Sequence, residues 1–351
     1  MNLSTSPNLT KYVVTATDRA RTVHYNPLMI LAGDVGGTKT LLGLFQRAGR
    51  RPQIITRRAY ATNDFGSFTA ILDAFARDAG DPISVDAAAV GVAGPVIGDR
   101  AALTNVAWDI SCGEITARLT TTRVRLLNDL QALATSVEVL TPDEFVVLQE
   151  GVPRADGNGA VIAAGTGLGE AYLHRVNGRL RPGPSEGGHA DWAARLDPEV
   201  GLLLMLRSQF GRAEVEHVLC GPGLLNIHRF THGDADCPAV RGLPDGERAA
   251  AVSAAALAGT CRSCVEALSM FVSAYGAEAG NLALRGVATF GLFVGGGIAP
   301  KILPALQDGR FMEAFLAKGA MTELVSKVPV KVIRNPDAGL LGAAVAAQEV
   351  M

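Results

Sequence analysis

Long apolar runs are missing from this chain. Its longest uncharged stretch, Gly286 to Pro300, is short and rich in glycine, and no segment reaches the ~18 consecutive apolar residues that a membrane-spanning helix needs. A soluble protein in the cytoplasm, with no membrane partner, is therefore expected. Charge of one sign is missing as well: 32 Lys and Arg stand against 34 Asp and Glu, for a formal net charge of -2. Nothing in that balance builds a surface for a polyanion, so nucleic acid is not an expected partner. Cysteine is scarce and scattered, five residues in 351, which makes no disulfide framework and fits a reducing compartment. Only Cys261 and Cys264 lie close together. The stretch "CRSC" has no second pair to complete four metal ligands and no thioredoxin-like strand before it, so two buried thiols one helical turn apart are expected.

What the chain does have is length for two domains and 48% hydrophobic residues to fill their cores. Residues 1–28 lack the apolar core of a secretory signal; rich in Ser and Thr with a few basic residues, they read as a flexible extension or, less directly, an organellar presequence. From Met29 onward strand and helix patterns alternate, which predicts an α/β protein. "MILAGD", "TLLGLF" and "QIITRRAY" read as three consecutive strands, then "FGSFTAILDAFARDAG" as an amphipathic helix, then "DAAAVGVAG" and "VRLLND" as strands. Three strands before the first helix is not a Rossmann order. A helix follows from Leu130 to about Leu140, and the polar stretch "EGVPRADGNGA" marks a domain boundary nearby. Beyond it "AVIAAG" and "GEAYLHRV" predict a second hairpin around "GTGLG". Helices are expected from Glu199 to Phe210, after Pro222 and from about Cys261 to Leu284; a strand, "TFGLFVGGGIAP", and a last helix, "AGLLGAAVAAQEV", complete the chain.

One pattern occurs in each half: apolar strand, Gly/Thr turn, apolar strand. Glycines there let backbone N–H groups converge on an anion, and threonine hydroxyls add donors. Each hairpin alone reads equally as an ordinary tight turn, and neither "GDVGGTKT" nor "GTGLGE" has the spacing of a P-loop or a dinucleotide fingerprint. Asp34, at a strand end beside the glycines, suits a water-bridged Mg2+ or a cap on its own turn. Asp129, after "VRLLN", suits a helix N-cap or a base at a cleft.

The blocks "GDVGGTKT", "LLNDL", "AAGTGLGEA", "EGGHAD", "EHVLCGPGL", "NLAL", "VGGGIAP" and "NPDAGLLGAA" stand in an order and spacing that resembles bacterial-type glucokinases, within the hexokinase/actin/heat-shock ATPase superfamily. The resemblance runs from Met29 to about Ala347. It implies two RNase H-like, actin-like ATPase domains with a cleft between them: a small domain of residues 29–140 plus 335–351 and a large one of 141–334. It implies ATP and Mg2+ as cofactors, glucose as substrate, phosphorylation at the C6 hydroxyl and, as is common in the family, a homodimer. By the same resemblance Asn128, Asp129, Glu186, His189 and Glu216 hold the sugar, and Asp129 is the catalytic base. Asp34, Gly36, Gly37 and Thr38, with Gly165, Thr166 and Gly167, form the phosphate hairpins; Asp34 meets the metal through water, and Gly295, Gly296 and Gly297 match the adenosine loop.

The chemistry of these side chains agrees with such a role. A sugar is a ring of hydroxyls, each needing a donor or acceptor, and the reacting hydroxyl needs a base while the phosphoryl group moves in line. A cleft that closes only around sugar keeps water from competing. The repressor-and-kinase subfamily carries a cysteine-rich zinc motif after its EGGH-like block, whereas "HADWAARLDPEVG" has no cysteine. A kinase for mannose or fructose and a non-catalytic sugar sensor are the alternatives.

Overall fold

The computed structural model describes residues 28–80, 83–103, 106–119, 121–233 and 237–351; the expected extension, but for Leu28, lies outside them. Strands β1 (Met29–Val35), β2 (Lys39–Gln46) and β3 (Gln53–Ala61) form an antiparallel meander, helix α1 (Phe68–Ala79) crosses over, and β4 (Ala87–Val92) returns parallel to β1. A small sheet of β5 (Val96–Ile97), β6 (Arg100–Ala102) and β7 (Asp109–Ser111) and helix α2 (Cys112–Arg118) precede β8 (Val124–Asn128), which runs straight into α3 (Asp129–Ser136). The resulting order is β3-β2-β1-β4-β8. Burial explains it: every residue of β4 is buried, as suits a central parallel strand covered on both faces. The mostly exposed β3, with Arg57 and Arg58, carries charge that blunts an edge.

The second sheet repeats that plan. After β9 (Phe145–Gln149), the meander β10 (Gly159–Ala164), β11 (Leu168–Val176) and β12 (Arg179–Ser185) leads through helices α4 (Asp197–Phe210), α5 (Gly221–His232), α6 (Asp245–Leu257) and α7 (Arg262–Gly286) to β13 (Gly291–Gly295). Short helices α8 (Leu303–Leu306), α9 (Arg310–Leu316) and α10 (Thr322–Ser326) precede β14 (Val330–Ile333), and α11 (Ala338–Gln348) is the last element. The order β12-β11-β10-β13-β14-β9 matches the first sheet strand for strand, with β9 added antiparallel at the edge. This is the doubled α/β architecture expected from the repeated hairpin. Among the described residues no single helix is long and apolar enough to cross a bilayer.

Besides the small sheet β5–β7 and the short helices α2, α8, α9 and α10, which the sequence reading did not name, further elements differ from it. β9 and β14 are too short to show a period, β12 carries Pro182 and Pro184 and is tolerated because it lies at an edge, and the alanine run of α6 has little apolar contrast. Helix α3 also stops at Ser136 rather than near Leu140.

The two halves meet at α3 and α11. A mixed cluster joins Leu130, Ala134 and Val137 of α3 and its end to Val161, Leu173 and Phe293 of the second sheet and to Ala338 of α11. Close approach is made possible by glycine: a β-carbon on Gly169 would lie 2.9 Å from the Leu130 side chain, one on Gly295 2.7 Å from Leu133, and one on Gly342 would overlap the Ala132 carbonyl oxygen. Glu144 ties the two chain crossings together. It accepts from Arg51 Nη1 and Nη2 at 2.5 and 2.9 Å, from Asn335 Nδ2 at 2.6 Å and from the Thr141 backbone at 2.7 Å, and the Arg51 guanidinium holds its carboxyl down at about 2.

Gly342→Ala is expected to destabilise the protein by about 1–3 kcal/mol through overpacking against a backbone atom that cannot rotate away. A urea midpoint equal to that of the wild type would show that α11 shifts freely along α3.

Candidate active site

Asp34 and Asn128 end two strands that flank β4: the register pairs Asp34 with Gly91 and Val92 with Asn128. Gly91 matters here, because a β-carbon would touch Ala132 at 2.9 Å and come within 3.6 Å of Asp129 Cα. Its absence lets α3 begin directly beside β1. The Asp34 carboxyl is pushed up to about 7, first by burial, then by the charges of Asp129 and Asp337, with Lys39 opposing. Gly339, at the start of α11, lies against Asp34, leaving room only for a hydrogen at that point.

The β8–α3 junction separates two readings of its polar pair. Asn128 is the N-cap: its Oδ1 accepts from Leu130 N at 2.9 Å, Gln131 Oε1 accepts from Asn128 N at 3.3 Å, and its Nδ2 donates to the Gly94 carbonyl. Asp129 is therefore the first helical residue and not the cap. Its Oδ1 accepts from Leu130 N while the carboxylate remains reachable by solvent. Burial on the remaining sides and the charge of Glu186 raise its pKa above the usual carboxylate value.

On the second sheet, Glu186, Gly187, Gly188 and His189 follow β12 as a single tight turn. Glu216 is fixed beside it, its N–H donating to the Gly188 carbonyl and its Oε2 accepting from Leu168 N at 2.7 Å. A β-carbon on Gly167 would meet that carboxylate at 2.5 Å. Gly167 is thus small for the sake of Glu216, so the second hairpin and the EGGH turn share one structural unit. His189 Nδ1 stands 2.9 Å from Glu214 Oε2. That bond, and the charges of Glu216, Glu214 and Glu186, raise the imidazole above its ordinary pKa against a desolvation that lowers it.

The remaining glycines lie at strand ends. Gly36 N donates to the Lys39 carbonyl to close the first hairpin; Thr62 braces it through its N–H to the Thr38 carbonyl and its hydroxyl to the Gly36 carbonyl. Thr38 and Thr166 are exposed at the two turns, with Gly37 half-buried beside Thr38. In the second hairpin Gly165 N donates to the Gly167 carbonyl, and the Gly165 carbonyl accepts from Gly221 N, the first residue of α5. Gly296 needs glycine twice, for its φ of 82° and because a β-carbon would run into the Ala164 carbonyl. Gly295 and Gly297 flank it at the end of β13, next to the second hairpin.

Sequence reading passed over two acids. Glu214, two residues before Glu216, orients His189; the carboxylate spacing in "EVEH" was the available signal. Glu170, on β11, is buried beneath Gly187, with Arg285 Nη1 3.9 Å away and neither oxygen hydrogen-bonded among the described residues. Burial and the neighbouring Glu278 push its carboxyl upward. A charge inside the apolar strand "LGEAYL" was the only sign of it.

Comparison with known proteins agrees with this geometry. The family model described as Glucokinase matches residues 31–350. The chain is similar to a glucokinase of Synechocystis sp., 38% identical over 346 residues that span 91% of this chain and 98% of the relative. Among solved structures it is similar to a glucokinase from an Antarctic psychrotroph, with TM-score 0.78, 31% identity and coverage of 92% and 99% of the two chains. A glucokinase of Balamuthia mandrillaris in complex with glucose shares the fold at TM-score 0.76 and 19% identity, over 93% and 95%.

The His189–Glu214 pair has a defined pH window. Because the imidazole pKa is raised, its contribution is complete below the unfolded histidine value and is lost as pH rises through the folded one. The Glu214 pKa is lowered, so its contribution is present above the unfolded carboxylate value and is lost as pH falls through the folded one. Glu214→Gln should move the His189 titration, followed by NMR, back toward the ordinary histidine value. An unmoved titration would show that Glu214 does not hold the ring.

Proposed function

The chain belongs to the glucokinase family, and we infer from that membership that it transfers the γ-phosphoryl group of ATP to the C6 hydroxyl of glucose, giving glucose 6-phosphate and ADP. The observation that supports Asp129 as the base is the division of labour at the head of α3: Asn128 serves as the cap, leaving Asp129 with a carboxylate open to the cleft and a raised proton affinity. In this reading Glu186, His189 and Glu216 hold the sugar hydroxyls, with Asn128 placing its remaining amide capacity beside them. His189 is a hydroxyl-binding group, oriented by Glu214.

ATP would lie along the glycine loops, its phosphates between Gly36, Gly37 and Thr38 on one side and Gly165, Thr166 and Gly167 on the other, its adenosine against Gly295, Gly296 and Gly297. The buried carboxyl of Asp34, carrying the repulsion of Asp129 and Asp337, fits a cation, and Mg2+ held there through water would neutralise phosphate charge. The domains proposed are residues 29–140 with 335–351 and residues 141–334, and the compartment the cytoplasm. A homodimer is supported by the outer face of α4, where Leu196, Val200 and Leu204 are 52%, 45% and 57% exposed at four-residue spacing. Light scattering should give twice the chain mass for the wild type and a smaller species for Leu204→Glu; a monomeric wild type removes this assignment.

Asp129→Asn is expected to lower kcat by about 10²–10⁴-fold with glucose binding retained. Turnover above roughly a tenth of the wild-type value would exclude Asp129 as the base. Galactose, inverted at one hydroxyl, should lose roughly 5- to 150-fold in kcat/KM against glucose, because a stranded buried polar group costs on the order of 1–3 kcal/mol. Equal values for the two sugars would contradict ring reading by Glu186, His189 and Glu216, and a preference for mannose or fructose in the same coupled assay would reassign the substrate.

A further inference from the structure

The sequence reading left "CRSC" short of metal ligands, and the fold supplies them. Cys264 lies inside α7 and is fully buried, whereas Cys261 is the residue before that helix and is half-buried. So the two thiols are not simply a buried pair on one helix. Helix α5 ends beside them and brings His228 and His232, four residues apart on one face. Cys237, also buried, completes the group. The side-chain donor atoms of Cys237, Cys261 and Cys264 all lie within 4.8 Å of one another, as do those of His228, His232 and Cys237.

We propose that Cys237, Cys261, Cys264 and His232 form a structural zinc site that clamps the end of α5 to the start of α7. The distances carry the proposal. A tetrahedral zinc with bonds of about 2.3 Å to sulfur and about 2.0–2.1 Å to nitrogen has S···S edges of about 3.8 Å and N···S edges of about 3.6 Å. Cys237 Sγ and Cys264 Sγ are 3.8 Å apart, and His232 Nε2 and Cys261 Sγ are 3.4 Å apart. Each contact has the length of such an edge, and Cys237 belongs to both close groups of donor atoms. The chain between Cys237 and Cys261 contains α6, so one ion would close three segments, two of which are already joined by the Thr231 hydroxyl donating to the Ser263 carbonyl at 2.9 Å.

Zinc takes cysteine as thiolate, so binding displaces three thiol protons, and the imidazole must be neutral. His228 lies against His232 with ring centroids 4.8 Å apart, and its Nε2 is buried without a hydrogen-bond partner among the described residues. One ring nitrogen of His228 lies within 4.8 Å of the Cys237 sulfur. The site has no open corner and lies away from the sugar and phosphate residues, which makes it structural. It still reaches them, because α5 contacts Gly165 of the second hairpin through its first residue.

The test uses the full chain, purified under reducing conditions and loaded with Zn2+. Native mass spectrometry should show one retained zinc per chain, and Co2+ in its place should give the visible bands of a tetrahedral thiolate site. His232→Ala and Cys261→Ser should each weaken zinc retention at least about tenfold in a chelator competition, while Cys112→Ser, whose thiol is elsewhere, should leave it unchanged. Should those variants fail to fold, the wild type alone decides: zinc must protect Cys237, Cys261 and Cys264 from alkylation and leave Cys112 as reactive as before. A wild type that keeps no zinc, or that loses two hydrogens to a disulfide among these cysteines with Zn2+ present in excess, overturns the proposal.

Discussion

The rest of the structure depends on the crossing of α3 and α11. Gly342 brings the last helix onto the backbone of Ala132, and Gly91 lets the same turn of α3 settle on the central strand β4. A helix held that tightly on one side can serve as a shared wall for the other sheet, which packs Gly169 and Gly295 against Leu130 and Leu133. The head of α3 is therefore located by both halves at once, and Asp129 is there. A β-carbon at Gly342 would run into the Ala132 backbone, and one at Gly91 would press on Ala132 Cβ at 2.9 Å, so these two glycines set how closely α3 seats.

Electrostatics then sets what the cleft can hold. Asp34, Asp129, Asp337 and Glu186 influence one another closely enough to raise the two aspartates, a costly arrangement unless something positive or proton-bearing arrives. In the proposed reading a magnesium ion would offset the cost at Asp34, and a sugar hydroxyl giving up its proton would offset it at Asp129. Elsewhere in the site Glu214 keeps His189 inclined to carry positive charge, with Arg212 Nη1 3.4 Å from the other Glu214 oxygen.

The second sheet adds coupling of a different sort. Gly167, Leu168, Gly188 and Glu216 are joined by two backbone-anchored bonds and one close approach, so the proposed sugar residue Glu216 and the turn of the second hairpin form one unit. Helix α5 starts on that turn and ends at the cysteine–histidine group, which gives the group a mechanical path to the cleft without any part in the chemistry.

Much of this was legible in the one-dimensional order of residues. Apolar period and glycine turns located β1, β2, β4, α1, α7 and both hairpins, because each of those elements buries a regular face. The resemblance of eight ordered blocks named the proposed sugar and phosphate residues but not Glu214, which holds His189. Elements without a regular face escaped: β9 and β14 are short edge-side strands, and α6 is uniform in alanine. Residue roles set by three-dimensional neighbours escaped too. Both Asn128 and Asp129 reach Leu130 N, so the cap was decided by backbone: Asn128 stays extended, with Gln131 accepting from its N–H, while Asp129 is the first helical residue. Whether "CRSC" is half of a ligand set depends on His232 and Cys237 arriving through the fold. Sequence determined which chemical groups exist and which local elements they ride on; only tertiary packing decided which of them share a hydrogen bond or a charge, because those interactions act over a few ångströms between residues that the chain keeps tens or hundreds of positions apart.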